Sequence, residues 1–114
     1  MTTQEKVAKL VQRLSERTNV GDLVWEETSQ PYVFQAAFTN LIVKLGSYDL
    51  EGGGVEYYIA LFNESGLQID RLTASELLRV SPSLYNLLKN LYLTAKRQAL
   101  AVDAALDALI GELS

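Results

Sequence analysis

From Pro82 to Leu113 the chain has no helix breaker before Gly111, and its apolar residues fall at Leu84, Leu88, Leu91, Ala95, Ala99, Val102, Leu106, Leu109 and Leu113. The steps are 4, 3, 4, 4, 3, 4, 3 and 4 residues. That is a heptad-like seam with one stutter between Leu91 and Ala99. Leu87, Tyr92 and Ile110 widen it. Ser81 and Pro82 predict its start, with serine as N-cap and proline at the first helical position. A continuous helix of about 30 residues is ~45 Å long. A domain of 114 residues has a radius of gyration of only about 13 Å. The helix must therefore break, near Arg97-Gln98, or leave its C-terminal half to pack on something else. The small residues Ala99, Ala101, Ala104, Ala105 and Ala108 permit close helix approach in that half.

The other end of the chain predicts a second helix over Thr3–Arg17. Val7, Leu10, Val11 and Leu14 form one apolar stripe. Thr2 and Glu5 have capping-box spacing, and Asn19 with Gly21 supplies the stop. Between the helices the pattern changes to strands. Leu23–Glu27 reads as a short strand or arm. The run Tyr32–Tyr48 is strand-like throughout, yet as one strand of 17 residues it would span ~56 Å at ~3.3 Å per residue. It must fold back. Thr39-Asn40 is the place, since asparagine tolerates left-handed backbone. Strands Val33–Phe38 and Leu41–Tyr48 result. Val55–Phe62 follows, apolar on both faces and so expected to be central and covered on both sides. A turn at Asn63–Gly66 leads to Gln68–Leu72, with Ile69 facing the core. The expected fold class is α+β in one domain over residues 1–114: an N-terminal helix, an antiparallel β-meander of three to five strands, and a long C-terminal helix.

Composition removes many chemistries. The chain has no cysteine and no histidine. Disulfides, thiol nucleophiles, Cys/His zinc sites, Ser-His-Asp triads and imidazole pH switches are all excluded. Any general base is Asp, Glu, Lys or Tyr, and any metal site would be all-oxygen. No cofactor is expected. The net charge of −4 is unevenly spread: residues 1–21 carry +2, residues 22–76 carry −7 and residues 77–114 carry +1. Phosphates would be repelled by the acidic middle, so no nucleic-acid partner is expected. No apolar run approaches the ~20 residues of a membrane span, and the N-terminus lacks the apolar core of a signal peptide. A cytoplasmic, cysteine-free protein is the expectation.

The segments ERTNVGDLVWEET, VEYYIALFNESG and LYLTAKRQALAVDAALDALIGEL resemble small bacterial α–β-meander–α proteins of unknown function. The resemblance spans most of the chain and contains no catalytic motif. It implies a fold and no activity.

Candidate sites follow from residue type and placement. Gly52-Gly53-Gly54 lies between two strands and lacks the Lys-Ser/Thr and helix of a phosphate loop, so it reads as a connection. Glu26, Glu27, Asp49, Glu51 and Glu56 read as a solvated acidic edge rather than an acid–base pair. Lys96-Arg97, with Lys89 and Arg79, reads as solvated helix positions or as a contact for an acidic surface. The aromatic residues crowd the sheet region and read chiefly as core. Trp25, Tyr57 and Tyr58 are the candidates for lining a groove. The surplus length of the last helix makes Val102, Leu106, Leu109 and Leu113 the candidate interface. The expected function is a non-enzymatic binding or adaptor protein, homodimeric through that helix. Two alternatives stand beside it. One is a partner-binding chaperone or an immunity or antitoxin-like protein. The other is a small-molecule sensor or enzyme with an aromatic pocket, for which nothing in the sequence specifies the small molecule.

Overall fold

A computed structural model describes residues 1–114 and shows an α+β fold. Helix α1 covers Thr3–Asn19. Thr2 caps it by accepting from the Glu5 backbone while Glu5 reaches back to the Thr2 amide, the predicted capping box. Its buried stripe is Val7, Ala8, Val11, Leu14, Ser15 and Thr18. Five strands follow: β1 Glu26–Glu27, β2 Val33–Ala37, β3 Leu41–Asp49, β4 Val55–Asn63 and β5 Gln68–Thr73. They form one sheet in sequence order, every neighbouring pair antiparallel. Three helices close the chain: α2 Ala74–Leu77, α3 Ser83–Ala99 and α4 Val102–Leu113.

The core lies on one side of this sheet. The row Phe34–Leu45–Ile59–Leu72 runs across β2 to β5, and every member is buried. Against it α3 sets Leu84, Leu88, Leu91, Tyr92 and Ala95. α1 packs chiefly on α3 through its own apolar stripe, so one continuous core joins sheet, α3 and α1. Leu45, Leu84, Leu88 and Ile59 are almost wholly enclosed. Truncating any one to alanine removes about 2–5 kcal/mol.

Several expectations change in detail. The strand expected at Leu23–Glu27 shortens to Glu26–Glu27 because Trp25 leaves the ladder and enters the core. The turn at Thr39-Asn40 is where expected, closed by the Phe38 amide donating to the Leu41 carbonyl at 2.8 Å. Asn40 is not left-handed, however; the only non-glycine residues at positive φ are Tyr32 and Ala101. The Asn63 carboxamide accepts from the Ser65 and Leu67 amides, and Gly66 takes φ +85° as its turn requires.

Ile69 is 52% exposed rather than in the core. Asp70 opposes Leu61 and Gln68 opposes Phe62, which leaves Ile69 as the extra residue of a β-bulge. Beyond the bulge the alternation resets and Leu72 takes the buried face.

β4 is covered on one side only. Its outer face (Tyr58, Ala60 and Phe62) meets no helix; its ring faces are covered instead by cations from β3 and β5. The helix start also moves. Pro82 is already helical at φ −57° and stands in the N-cap place, and Ser81 makes no capping bond. The Ser81 carbonyl instead accepts from the Leu84 amide, a tight first turn. α2 was not anticipated; Thr73 and Glu76 form its capping box.

Candidate functional site

The predicted long helix divides three residues beyond the expected point. Leu100 ends α3, and Ala101 adopts left-handed backbone at φ 51°, ψ 46° before α4 begins. The Gln98 amide donates to the Thr18 carbonyl at 3.4 Å and ties the end of α3 to the end of α1. α4 has no such anchor. Apart from half-buried Val102 its residues are exposed. Leu106 is 46% exposed, Leu109 54%, Ile110 63% and Leu113 86%. The structure therefore brings the four candidate interface residues onto one element with spacing 4, 3, 4 and leaves their apolar surface largely open. Leu100 and Leu93 on α3 are also partly open, at 44% and 39%. The Arg97–Asp103 pair spans the break at 3.8 Å between two exposed side chains; such a pair holds little, ~0–1 kcal/mol.

The three candidate groove residues are not brought together. Trp25 is only 2% exposed, and its indole N–H donates to Thr18 Oγ1 at 2.9 Å. It packs into the core beside the end of α1 and lines none of the larger cavities. Tyr57 and Tyr58 are adjacent on β4 and so point to opposite faces. Tyr57 lies on the helix side, 5.4 Å ring to ring from Tyr92 and 6.4 Å from Tyr85. With Tyr32, Tyr92 and Lys96 it lines an open cavity of about 420 Å³ at the edge of α3. Tyr58 lies on the outer face, where it lines a separate cavity of about 470 Å³ with Lys44, Phe62 and Arg71.

Burial pushes the Tyr92 hydroxyl above its ordinary pKa of 10.0; the bond it accepts from Ser47 Oγ at 2.9 Å works the other way, and neighbouring Tyr57 adds to the rise. Tyr85 is raised in the same direction, by desolvation and then by the Glu56 carboxylate.

The acidic residues also separate. Nowhere do three carboxylates meet at a point that could hold a metal ion. Glu56 is buried, which the solvated-edge expectation missed. It accepts from the Ser75 hydroxyl and from the amides of Tyr57 and Ser75 at 3.1 and 3.3 Å, and so fastens the start of α2 to β4. Gly52-Gly53-Gly54 lies in the β3–β4 connection, where all three residues take positive φ.

Sequence reasoning also passed over Lys44 and Arg71. Their signal was present: they are the only basic residues between 22 and 76. No helix is long and apolar enough to cross a membrane. No protein-family model, curated protein or solved structure matches the chain.

Proposed function

We propose that this chain is a non-enzymatic binding or adaptor protein of the cytosol, and that it works as a homodimer assembled through α4. The observation that carries the proposal is the open row Leu106, Leu109 and Leu113 on a helix with no buried residue. Contiguous exposed apolar surface of this kind marks an interaction site. α4 is ~18 Å long, and a stable interface needs roughly 800 Å² from each partner. α4 alone falls short of that. Leu100 and Leu93 on α3, both partly open, are further exposed apolar residues of the C-terminal third. A second copy suits this surface because the same row presented by both partners is self-complementary about a two-fold axis. The cysteine- and histidine-free composition supports a role without covalent chemistry.

Molar mass by size exclusion with light scattering, over a concentration series, tests this. The wild-type chain is expected near twice 12.6 kDa. The double substitution Leu106→Glu and Leu109→Glu is expected to give the monomer with unchanged helix content, since neither residue is buried. A monomeric wild type, or a dimer that survives both substitutions, overturns the proposal.

A further inference from the structure

Residues 22–76 hold nine acidic side chains and two basic ones, Lys44 and Arg71. Both basic residues stand on the sheet face that no helix covers. The register places Glu26, Gln35, Lys44, Ala60 and Arg71 side by side across β1 to β5, with the Glu26 carboxylate at the sheet edge, two strands from Lys44. Ala60 is the small residue between the two cations and is 1% exposed. It forms a floor, and Tyr58 and Phe62 rise on either side of it along β4. Lys44 Nζ lies 4.5 Å from the Phe62 ring centre, and the Arg71 guanidinium carbon lies 4.2 Å from that of Tyr58. Tyr58 in turn lies over Gly46, so close that a Cβ at that position would collide with the ring. Position 46 thus admits no side chain unless the Tyr58 ring moves. One rim is the loop Thr28–Gln30, braced by Thr28 Oγ1, which donates to the Val33 carbonyl at 3.0 Å and accepts from the Gln30 amide at 3.2 Å.

The three ion pairs of the chain are Arg13–Glu16, Arg17–Asp22 and Arg97–Asp103. Lys44 and Arg71 belong to none of them, and no carboxylate lines their cavity. In a chain of net charge −4 this is an unneutralised positive cleft of about 470 Å³, a volume suited to a small molecule.

We propose that this cleft binds a small phosphate-bearing anion. Arginine offers a planar fork that matches phosphate oxygens, and lysine supplies a point charge. Ser29, Gln30 and Gln68 on the walls add hydroxyl and amide donors. The cleft is open to water, where a single ion pair gains little. A ligand must therefore bring several charges within a few ångström, as a phosphate chain does and a lone carboxylate does not. A long polyanion is disfavoured, since beyond the cleft it would meet the acidic side chains that give residues 22–76 a charge of −7. The site is on a different face from α4 and does not depend on self-association.

Isothermal titration of the full chain at low ionic strength, with inorganic triphosphate and with adenosine triphosphate as probes, tests the assignment. Saturable binding of either is expected. Lys44→Gln and Arg71→Gln should each weaken it about tenfold, and the double variant should abolish it. Lys44→Arg and Arg71→Lys keep the charge and should lose less, which separates a lost site from a lost fold. Thermal unfolding of each variant checks the fold directly. Tighter binding of the nucleotide than of inorganic triphosphate assigns part of the affinity to the ring and walls; equal binding assigns it to the phosphates. Both support the site. Absence of saturable binding at millimolar probe overturns it, as does binding that survives the double substitution. So does saturable binding of a poly-glutamate peptide where neither phosphate binds.

Discussion

The Trp25 indole and the Thr18 hydroxyl meet at 2.9 Å inside the core, where neither has water as a substitute. An aromatic residue on a short segment before a proline could equally have stood at the mouth of a groove. What decides its role is Thr18, on the last buried turn of α1, which offers the acceptor an enclosed indole needs. Trp25→Phe removes the donor, leaves the Thr18 oxygen short of a partner and opens a small void. It is expected to cost about 1–3 kcal/mol, read as a lower urea midpoint with unchanged slope by far-ultraviolet circular dichroism.

Tyr92 and Tyr85 carry a pH signature. Both are raised, so the folded state favours the neutral phenol. The stability this contributes is fully present below pH 10.0, the ordinary tyrosine value, and is lost as pH rises through the folded-state values. Tyrosinate absorbance should show Tyr92 and Tyr85 ionising above pH 10.0, the ordinary tyrosine value. The urea midpoint should fall above pH 10.0, and less steeply in Tyr92→Phe. An absorbance step at or below pH 10.0 that Tyr92→Phe removes would contradict the buried placement of Tyr92.

At the scale of elements, the break between α3 and α4 is two residues wide, Leu100 and Ala101. Ala101 at φ 51° turns the chain without changing the 3–4 spacing of the apolar residues. Periodicity therefore passes straight through it, and the seam read as one helix is two. A left-handed alanine costs about 1–2 kcal/mol that glycine largely escapes, whereas glycine inside a continuous helix costs ~1 kcal/mol. The two arrangements thus predict opposite signs for one substitution. Ala101→Gly is expected to raise the unfolding temperature, by about 0.5–1 kcal/mol of added stability; a lowered temperature would mean an unbroken helix. The bulge in β5 is the same kind of event. A single unpaired residue, Ile69, reverses which face each later side chain takes, and strict alternation has no means of registering it.

At the scale of the whole molecule, the radius of gyration is 15.2 Å, against about 13 Å for a compact chain of this length. The long axis of 54 Å is consistent with a terminal helix that carries open leucines. If α4 is an interface, dissociation is linked to unfolding, and the unfolding temperature rises with protein concentration. That rise is expected in the wild type and should vanish when Leu106 and Leu109 become glutamate. Charge is also arranged at this scale. The charge of −7 over residues 22–76 argues against a nucleic-acid surface there, but a sum along the chain does not record that both cations of the segment share one row of the sheet.

Local signals carried most of the fold. The capping box at Thr2, the turns at Thr39-Asn40 and Asn63–Gly66, the strand alternation and the 3–4 seam each act over a few neighbouring residues, so they are written in the chain itself. The absence of cysteine and histidine is likewise absolute in the sequence. Tertiary structure alone decided that Trp25 is sealed in, that Tyr57 and Tyr58 serve different cavities, that Glu56 is buried under α2, and that Lys44 and Arg71 converge. Those outcomes depend on which strand lies beside which, and on a single dihedral at Ala101. They are set by packing between residues far apart in the chain, which no local spacing encodes.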